Sequence, residues 1–426
     1  MKGLGWIGVA VSLLFSAASM HAAITCDVHR YGAMGDGKTK DTAAIQKAID
    51  ACATAAGGGT VELAGGTFLS APLILRSNVT LEVATGATLL GSADHADYPE
   101  ITELRSKGRQ ALLSAQDATH ITIRGGGTID GQGESWWAEA RLQKSHGVVG
   151  EGVFRPRLIV LSHCQHVLIE HVTVQNSPSW QIVPYYSDDV TIRNVTILAD
   201  PHSPNTDAID PFSSTNMLID HVTADVGDDN IAIKSGLINS PGPDAPAKNI
   251  TITDCTFLHG HGLSIGSEIA GGAQHIIARN IHFKGTDTGI RIKANRDRGA
   301  DVSDIHMSHI DMDSVGTAIL ISEYYPKVLP PAADEAPQPV GRLTPFFHDI
   351  TLEDVTAKNA KVAGVIVGLP ESPVKGVVLE HVSLEAAKGM TIGYAQVKLD
   401  DVSVKSAQGD ALIKTQGAQV DGSLKP

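Results

Sequence analysis

Val167-Leu168-Ile169-Glu170-His171-Val172-Thr173-Val174 returns as Val190-Thr191-Ile192-Arg193-Asn194-Val195-Thr196-Ile197, and again as Met217-Leu218-Ile219-Asp220-His221-Val222-Thr223-Ala224. Each copy is apolar at its first, third, sixth and eighth positions. Six further copies begin at Ile250, Ile276, Ile305, Ile350, Val377 and Val397, so the nine starts lie 23, 27, 33, 26, 29, 45, 27 and 20 residues apart. Alternation, a two-residue break and renewed alternation, with β-branched residues inside and Asn, Asp or Gly at the edges, reads as two short strands meeting at a corner. Such units bury their apolar face only by stacking on one another, which predicts a solenoid. Helical spacing is absent from these units, and an all-β, right-handed parallel β-helix is expected.

Four polar clusters interrupt the apolar pattern: Asn205-Thr206-Asp207, Gly227-Asp228-Asp229-Asn230, Gly260-His261-Gly262 and Arg291-Ile292-Lys293. Asp228 follows Met217 by 11 residues and His261 follows Ile250 by 11, while Asp207 and Arg291 follow Val190 and Ile276 by 17 and 15. Near-equal offsets in consecutive coils stack about 4.8 Å apart, as neighbouring strands do. Taken alone, Asp228-Asp229 reads as a solvated turn. Four clusters in one register read as the lining of a groove. Arg291 and Lys293 alternate around Ile292, so both cations project from one side of a strand whose isoleucine faces inward. They suit a carboxylated ligand, since a guanidinium grips a carboxylate bidentately and an ammonium adds a point charge. The competing reading is an ion pair with the nearby aspartates.

These clusters, with Gly127-Thr128-Ile129-Asp130-Gly131-Gln132-Gly133, Asn176-Ser177-Pro178 and a tyrosine after the strand ending at Ile321, resemble the signatures of the polygalacturonases, glycoside hydrolase family 28. The resemblance covers nearly the whole chain beyond its N-terminal leader. It implies hydrolysis of α-1,4-galacturonosyl linkages in polygalacturonate with inversion at the anomeric carbon. It also implies Asp228 as general acid, Asp207 and Asp229 as the carboxylates that hold and deprotonate water, and His261 as the partner that maintains the protonation of Asp228. Asn205, Arg291, Lys293 and Tyr325 are implied as substrate-binding residues, with Tyr324 the adjacent alternative to Tyr325. The family usually has Gly where this chain has Ala208; if that position needs φ > 0, alanine would strain it by roughly 1 kcal/mol. Elementary chemistry agrees: glycoside hydrolysis needs one carboxylic acid for the leaving oxygen and one carboxylate for water. Crowded carboxylates raise the pKa of at least one of their number.

Rival functions are set aside on particular residues. A β-eliminating pectate lyase needs a calcium-binding acidic site and a basic catalytic side chain, and a non-enzymatic carbohydrate-binding β-helix gives no reason for Asp207, Asp228, Asp229 and His261 to share a register. Rhamnogalacturonan hydrolases depart from the intact Gly-His-Gly and Arg-Ile-Lys pattern, which favours homogalacturonan. Endo action is expected over exo, unless the proline-rich insertion Pro326 to Phe347, a cleft wall or lid, closes one end of the groove.

A net charge of −14 and a pI near 5.6 argue against nucleic acid and anionic membranes as partners. A polyanionic substrate would then have to be drawn by local cations against the global field. The start Met1-Lys2, an apolar run from Leu4 to Ala18 and the small residues near Ala22 read as a cleavable signal peptide over residues 1–22. Residues 23–426 are then one β-helix domain, secreted or periplasmic and monomeric. Export permits a Cys26–Cys52 disulfide, while Cys164 and Cys255 sit on core templates as buried thiols. A helix from an Asp41 N-cap through Ile45, Ala48, Ile49 and Cys52 to Gly57-Gly58-Gly59 would cap the solenoid. The glycine-rich stretch 32–37 lacks the phosphate-binding lysine pattern and opens this helix instead. No cofactor or metal is called for, because most of the 18 histidines, such as His120, His166, His171, His221, His275 and His282, fall at coil edges or corners.

Overall fold

The nine repeat starts form one continuous ladder in a computed structural model that describes residues 23–145, 154–329 and 335–425. Val167 pairs with Val190, Val190 with Met217, and so on in register through Ile250, Ile276, Ile305, Ile350 and Val377 to Val397. The eighth positions form a second ladder, from Val174 through Ile197, Ala224, Phe257, Phe283, Met312, Ala357 and Leu384 to Val404. All these pairings are parallel, and the chain is a right-handed parallel β-helix. The expected leader lies outside the described residues, and none of the described helices is long and apolar enough to cross a membrane.

The corner inside each repeat has a local cause. The residue at the fifth position of every repeat, and the residue before every start except Val397, take left-handed backbone: Asp189 (φ 54°), Asn216 (54°) and Asn249 (56°) before the start, Asn194 (52°), His221 (50°) and Asp254 (55°) at the fifth position. Asn, Asp and His are the side chains that tolerate this region best. Histidines 120, 166, 171, 221, 275, 309 and 381 are therefore turn residues of this kind. His282 differs, standing mid-strand in Ala273–Lys284.

A third sheet runs along the solenoid. Its ladder passes from Leu113 through Ile159, Ile182, Ile209, Ile231, Leu263 and Ile290 to Ile319. Its inward residues join the main core, and its outward residues form a separate surface. At the N-terminal side, Val160, Val183, Tyr185 and Phe212 make an apolar patch with Leu104, which is carried by the hairpin Glu100–Glu103/Ser106–Arg109. At the other side, Leu320, Val365 and Val367 make a second patch with Tyr324 and Leu369.

The N-terminal helix spans Thr42–Thr54 and buries Ile45, Ala48, Ile49 and Cys52 against the first coils. Cys26 and Cys52 form a disulfide with Cα atoms 6.1 Å apart. Asp41 precedes the helix without capping it. Its carboxylate accepts instead from the amides of Met34 (2.7 Å) and Gly35 (3.0 Å), so the glycine-rich loop spends its donors on the protein itself. A second helix, Glu134–Ser145, has no counterpart in the sequence reading. Of the insertion after Tyr325, residues 330–334 lie outside the described set. The flanks are held by Arg296 to Glu335 (2.8 Å) and by Arg342 to Ser240 and Asp244, against the body rather than as a linker.

Candidate active site

Between the two apolar patches, four consecutive coils of the third sheet carry polar side chains outward. Asp207, Asp229 and His261 each stand two residues before the ladder residue of their coil, Ile209, Ile231 and Leu263. Asp228 stands three before. The expected match of Asp228 with His261 is thus corrected by one residue, because the turn leading into the third sheet varies in length and resets the count. The four clusters nonetheless share one face. Gly260 (φ 121°) and Gly262 (φ 88°) bracket His261 where the backbone crosses the neighbouring coil: a Cβ at Gly260 would lie 2.6 Å from the Asp228 carbonyl oxygen, and one at Gly262 would strike the Thr288 carbonyl. Any side chain at either position is excluded, which explains the motif.

His261 Nδ1 lies 3.0 Å from Asp228 Oδ1, and its Nε2 lies 3.3 Å from Asp287 Oδ2 at the rim. Burial would raise Asp228 and is the largest single influence, but the hydrogen bond and charge of His261 together with the charge of Lys293 outweigh it and hold this carboxyl below the usual range. His261 is raised in turn: burial opposes most strongly, and the bond to Asp228 with the charges of Asp228 and Asp229 together overcome it. Each thus favours the charged form of the other.

Asp229 is buried and fully engaged. Its Oδ1 accepts from Ser264 Oγ (2.8 Å) and Arg291 Nη1 (3.1 Å), and its Oδ2 from Lys293 Nζ (2.7 Å). Burial disfavours its charge, yet Lys293 and then Arg291 keep it far below the ordinary carboxylate range. The ion pair weighed against the ligand-binding reading of these cations is therefore present in the ligand-free chain. Lys293 and Arg291 also lie over the Tyr325 ring, at 5.3 and 5.9 Å from its centroid. Tyr324, by contrast, is buried in the apolar patch beside Leu320, so it is Tyr325 that the site faces. Asn205 is exposed with φ 56°, and its Oδ1 accepts from Arg155 Nη2 (2.7 Å).

Asp207 is buried. Burial first, then the charges of Asp210 and Asp228, push its pKa well above the ordinary value. The crowding expected of the carboxylates thus raises Asp207, and Asp210 beside it, rather than Asp228. Ala208 has ordinary negative φ, is fully buried and donates its amide to the Asp229 carbonyl (2.9 Å), so the residue that departs from the family pattern carries no backbone strain.

Ligand atoms of Asp228, Asp229 and His261 lie within 4.8 Å of one another. Arg291 and Lys293 already occupy both oxygens of Asp229, so a divalent ion would have to displace two cations. These residues do not compose a metal site.

Lys234, Asp210, Ser264 and Arg155 escaped sequence reasoning. The signal for three of them was register. Lys234 follows Ile231 by the same three residues that separate Lys293 from Ile290, and Asp210 and Ser264 follow their ladder residues by one, as Arg291 does. Arg155 had no such signal.

A parallel β-helix bearing carboxylates, an imidazole and paired cations along one groove has the make-up of a β-helical glycosidase for an acidic sugar. Residues 53–400 match the model for glycosyl hydrolases family 28. A probable polygalacturonase of Vitis vinifera is 32% identical over 405 residues, 90% of this chain and 80% of that protein. An endo-polygalacturonase of Pectobacterium carotovorum subsp. carotovorum is 32% identical over 341 residues, 75% and 78% of the two chains. The crystal structure of a hyperthermoactive exopolygalacturonase from Thermotoga maritima aligns with a TM-score of 0.77 at 26% identity, over 92% of each chain. This chain belongs to glycoside hydrolase family 28 and is a glycoside hydrolase.

Proposed function

We propose that this enzyme hydrolyses α-1,4-galacturonosyl linkages of de-esterified pectin with inversion, as a monomeric, single β-helix domain (residues 23–426) exported to the periplasm or beyond. The observation that carries the proposal is the site's asymmetry. One carboxyl, Asp228, is hydrogen-bonded to His261 at 3.0 Å, while Asp229 sits among Arg291, Lys293 and Ser264 beneath Tyr325. In this reading Asp228 protonates the leaving oxygen, and the proton moves from the Asp228–His261 pair to the aglycone. Asp207 and Asp229 hold a water on the opposite face and take its proton as its oxygen bonds to the anomeric carbon. Arg291 and Lys293 share their charge between Asp229 and the incoming carboxylate, with Tyr325 and Asn205 bordering the sugar. One displacement of this kind turns an α-linkage into a β-anomer. Proton NMR in the first moments of hydrolysis should show the β-anomer before mutarotation; an initial α-anomer overturns the assignment.

The sequence expectation of endo action has in its support the Pectobacterium relative. A specific observation favours exo action. The hairpin bearing Leu104 roofs the third sheet at Val160 and Val183, and Arg105 pairs with Asp244, in the segment between the strands Ile231–Ile233 and Ala247–Phe257. A roof that begins on the coil next to that of Asp207 ends the groove on that side, and the Thermotoga neighbour is an exopolygalacturonase. Early products from polygalacturonate separate the two: a spread of oligomers means endo, monomer or dimer alone means exo.

A further inference from the structure

The wall beside Asp207 holds polar groups for which the chemistry above has no use. Asp210 is fully buried and neither of its carboxylate oxygens has a hydrogen-bond partner; Oδ1 of Asp207 and both amide atoms of Gln181 are likewise orphaned. Buried polar atoms without partners are uncommon and costly. Among them stands Lys234, 4% exposed. Its Nζ is 3.5 Å from Asp207 Oδ2, 4.0 Å from Asp210 Oδ1, 3.5 Å from Glu268 Oε2 and 4.7 Å from the centre of the Trp180 ring.

Counting charges decides what this ammonium does. Asp229 has Arg291 and Lys293, and Glu268 has Arg298 at 3.7 Å in addition to Lys234. Asp207 and Asp210 have Lys234 as their near cation, with Arg155 and Arg157 contributing from further off. One ammonium does not support two buried carboxylates together, so the pair holds a proton between them. We propose that Lys234 is a positioning residue that keeps Asp207 ionised for water activation, while Asp210 carries the proton that the pair retains. The proposal rests on Asp207 being a water-activating carboxylate. Burial raises both carboxyls, Asp207 well above its ordinary value and Asp210 to about 7, so burial does not select the ionised partner; Lys234 does, standing nearer Asp207 (3.5 Å) than Asp210 (4.0 Å). The groups facing the pair are Lys234 on the neighbouring coil, Glu268 beyond it, Asp228 and Asp229 on the turn above, and Arg155 and Arg157 on the preceding coils.

The test reads the acid limb of kcat/KM against pH on polygalacturonate. Lys234→Met should move that limb up by about one to three pH units, the shift that an opposite charge at this range produces. The basic limb should stay in place, and Lys234→Arg should restore the wild-type profile. Asp210→Asn copies the protonated Asp210 of the proposal and should leave the acid limb in place, whereas a shift to lower pH would mean that Asp210 was charged beside Asp207 and overturns the placement of the proton. A purely structural role would scale the whole profile without shifting either limb, and that result in Lys234→Met overturns the proposal. Should Lys234→Met fail to fold, the double variant Lys234→Met/Asp210→Asn, which buries one ionisable group of each sign fewer, decides: an acid limb raised above that of Asp210→Asn supports the proposal, an unmoved one sinks it. Asp207→Asn separates the two levels. Loss of turnover there with unmoved limbs in the other variants removes only the role of Lys234, whereas wild-type turnover in Asp207→Asn removes the reading of Asp207 beneath it.

Discussion

Asp228 and His261 are hydrogen-bonded at 3.0 Å, and two substitutions probe that pair. Asp228→Asn keeps shape and volume but leaves no proton to give, so kcat should fall by about 10² to 10⁴ with the melting midpoint unchanged; turnover at the wild-type rate would remove Asp228 from the mechanism. His261→Asn tests the pairing. Because His261 is raised above its ordinary value, the pair is charged with its proton below that raised value and loses it as pH climbs through it. Without the imidazole the proton rests on Asp228 alone, and the basic limb of the activity profile should move to lower pH. A basic limb that stays where it was would show that His261 does not set the proton's residence. At this scale the sequence was legible for the side chains that belong to motifs and for Tyr325, whose neighbour Tyr324 turned out to face apolar packing. It was not legible for Lys234 and Asp210, whose meaning depends on a third ladder that the eight-residue template does not contain. An ion pair of Arg291 and Lys293 with an aspartate was readable as the competing reading, but that Asp229 is the partner, and which oxygen each cation meets, follows from a fold in three dimensions.

Strands and corners follow from the repeat, and their tests concern stability rather than chemistry. Left-handed backbone at the second corner suits Asn194 and would penalise a β-branched replacement. Asn194→Val should therefore cost about 1 to 2 kcal/mol, while Asn194→Gly should be nearly neutral, as denaturant titration can measure. Comparable losses in both would point to the side chain's contacts instead of its backbone. The disulfide ties the first strand to the helix, and replacing Cys26 and Cys52 together by Ser should destabilise by about 2 to 5 kcal/mol. Catalytic constants should stay at wild-type values, because the four site coils lie well along the solenoid from this bond. Diminished kcat at full folding would contradict that separation. The nine repeats were readable because apolar alternation is their only means of burying a face. The helix Glu134–Ser145 was not, as its sequence carries neither a clear apolar stripe nor a cap, and Asp41 was misassigned because a carboxylate before a helix can turn back to a loop as readily as forward.

Along the whole molecule, the groove is bounded by two apolar patches, one under the hairpin at Leu104 and one beside Tyr324. Arg105 fastens the first roof to Asp244. Removing that fastening by Arg105→Ala should loosen the hairpin and let polymer run through, so viscosity should fall faster for each reducing end released, with turnover of short oligomers unchanged. An unaltered ratio would mean that the roof is held by Leu104 packing or never limited access. The same one-dimensional construction has another consequence. Each coil touches only its neighbours, and the reacting groups occupy four consecutive coils, so the chain behaves like a ruler on which chemistry is marked over one short interval. Duplicating a coil outside that interval lengthens the ruler and displaces the roof relative to the mark, while a coil added inside it severs Asp207 from Arg291. Reach along a polymer and the ability to break it are thus separately adjustable, the first by counting coils and the second only by replacing side chains.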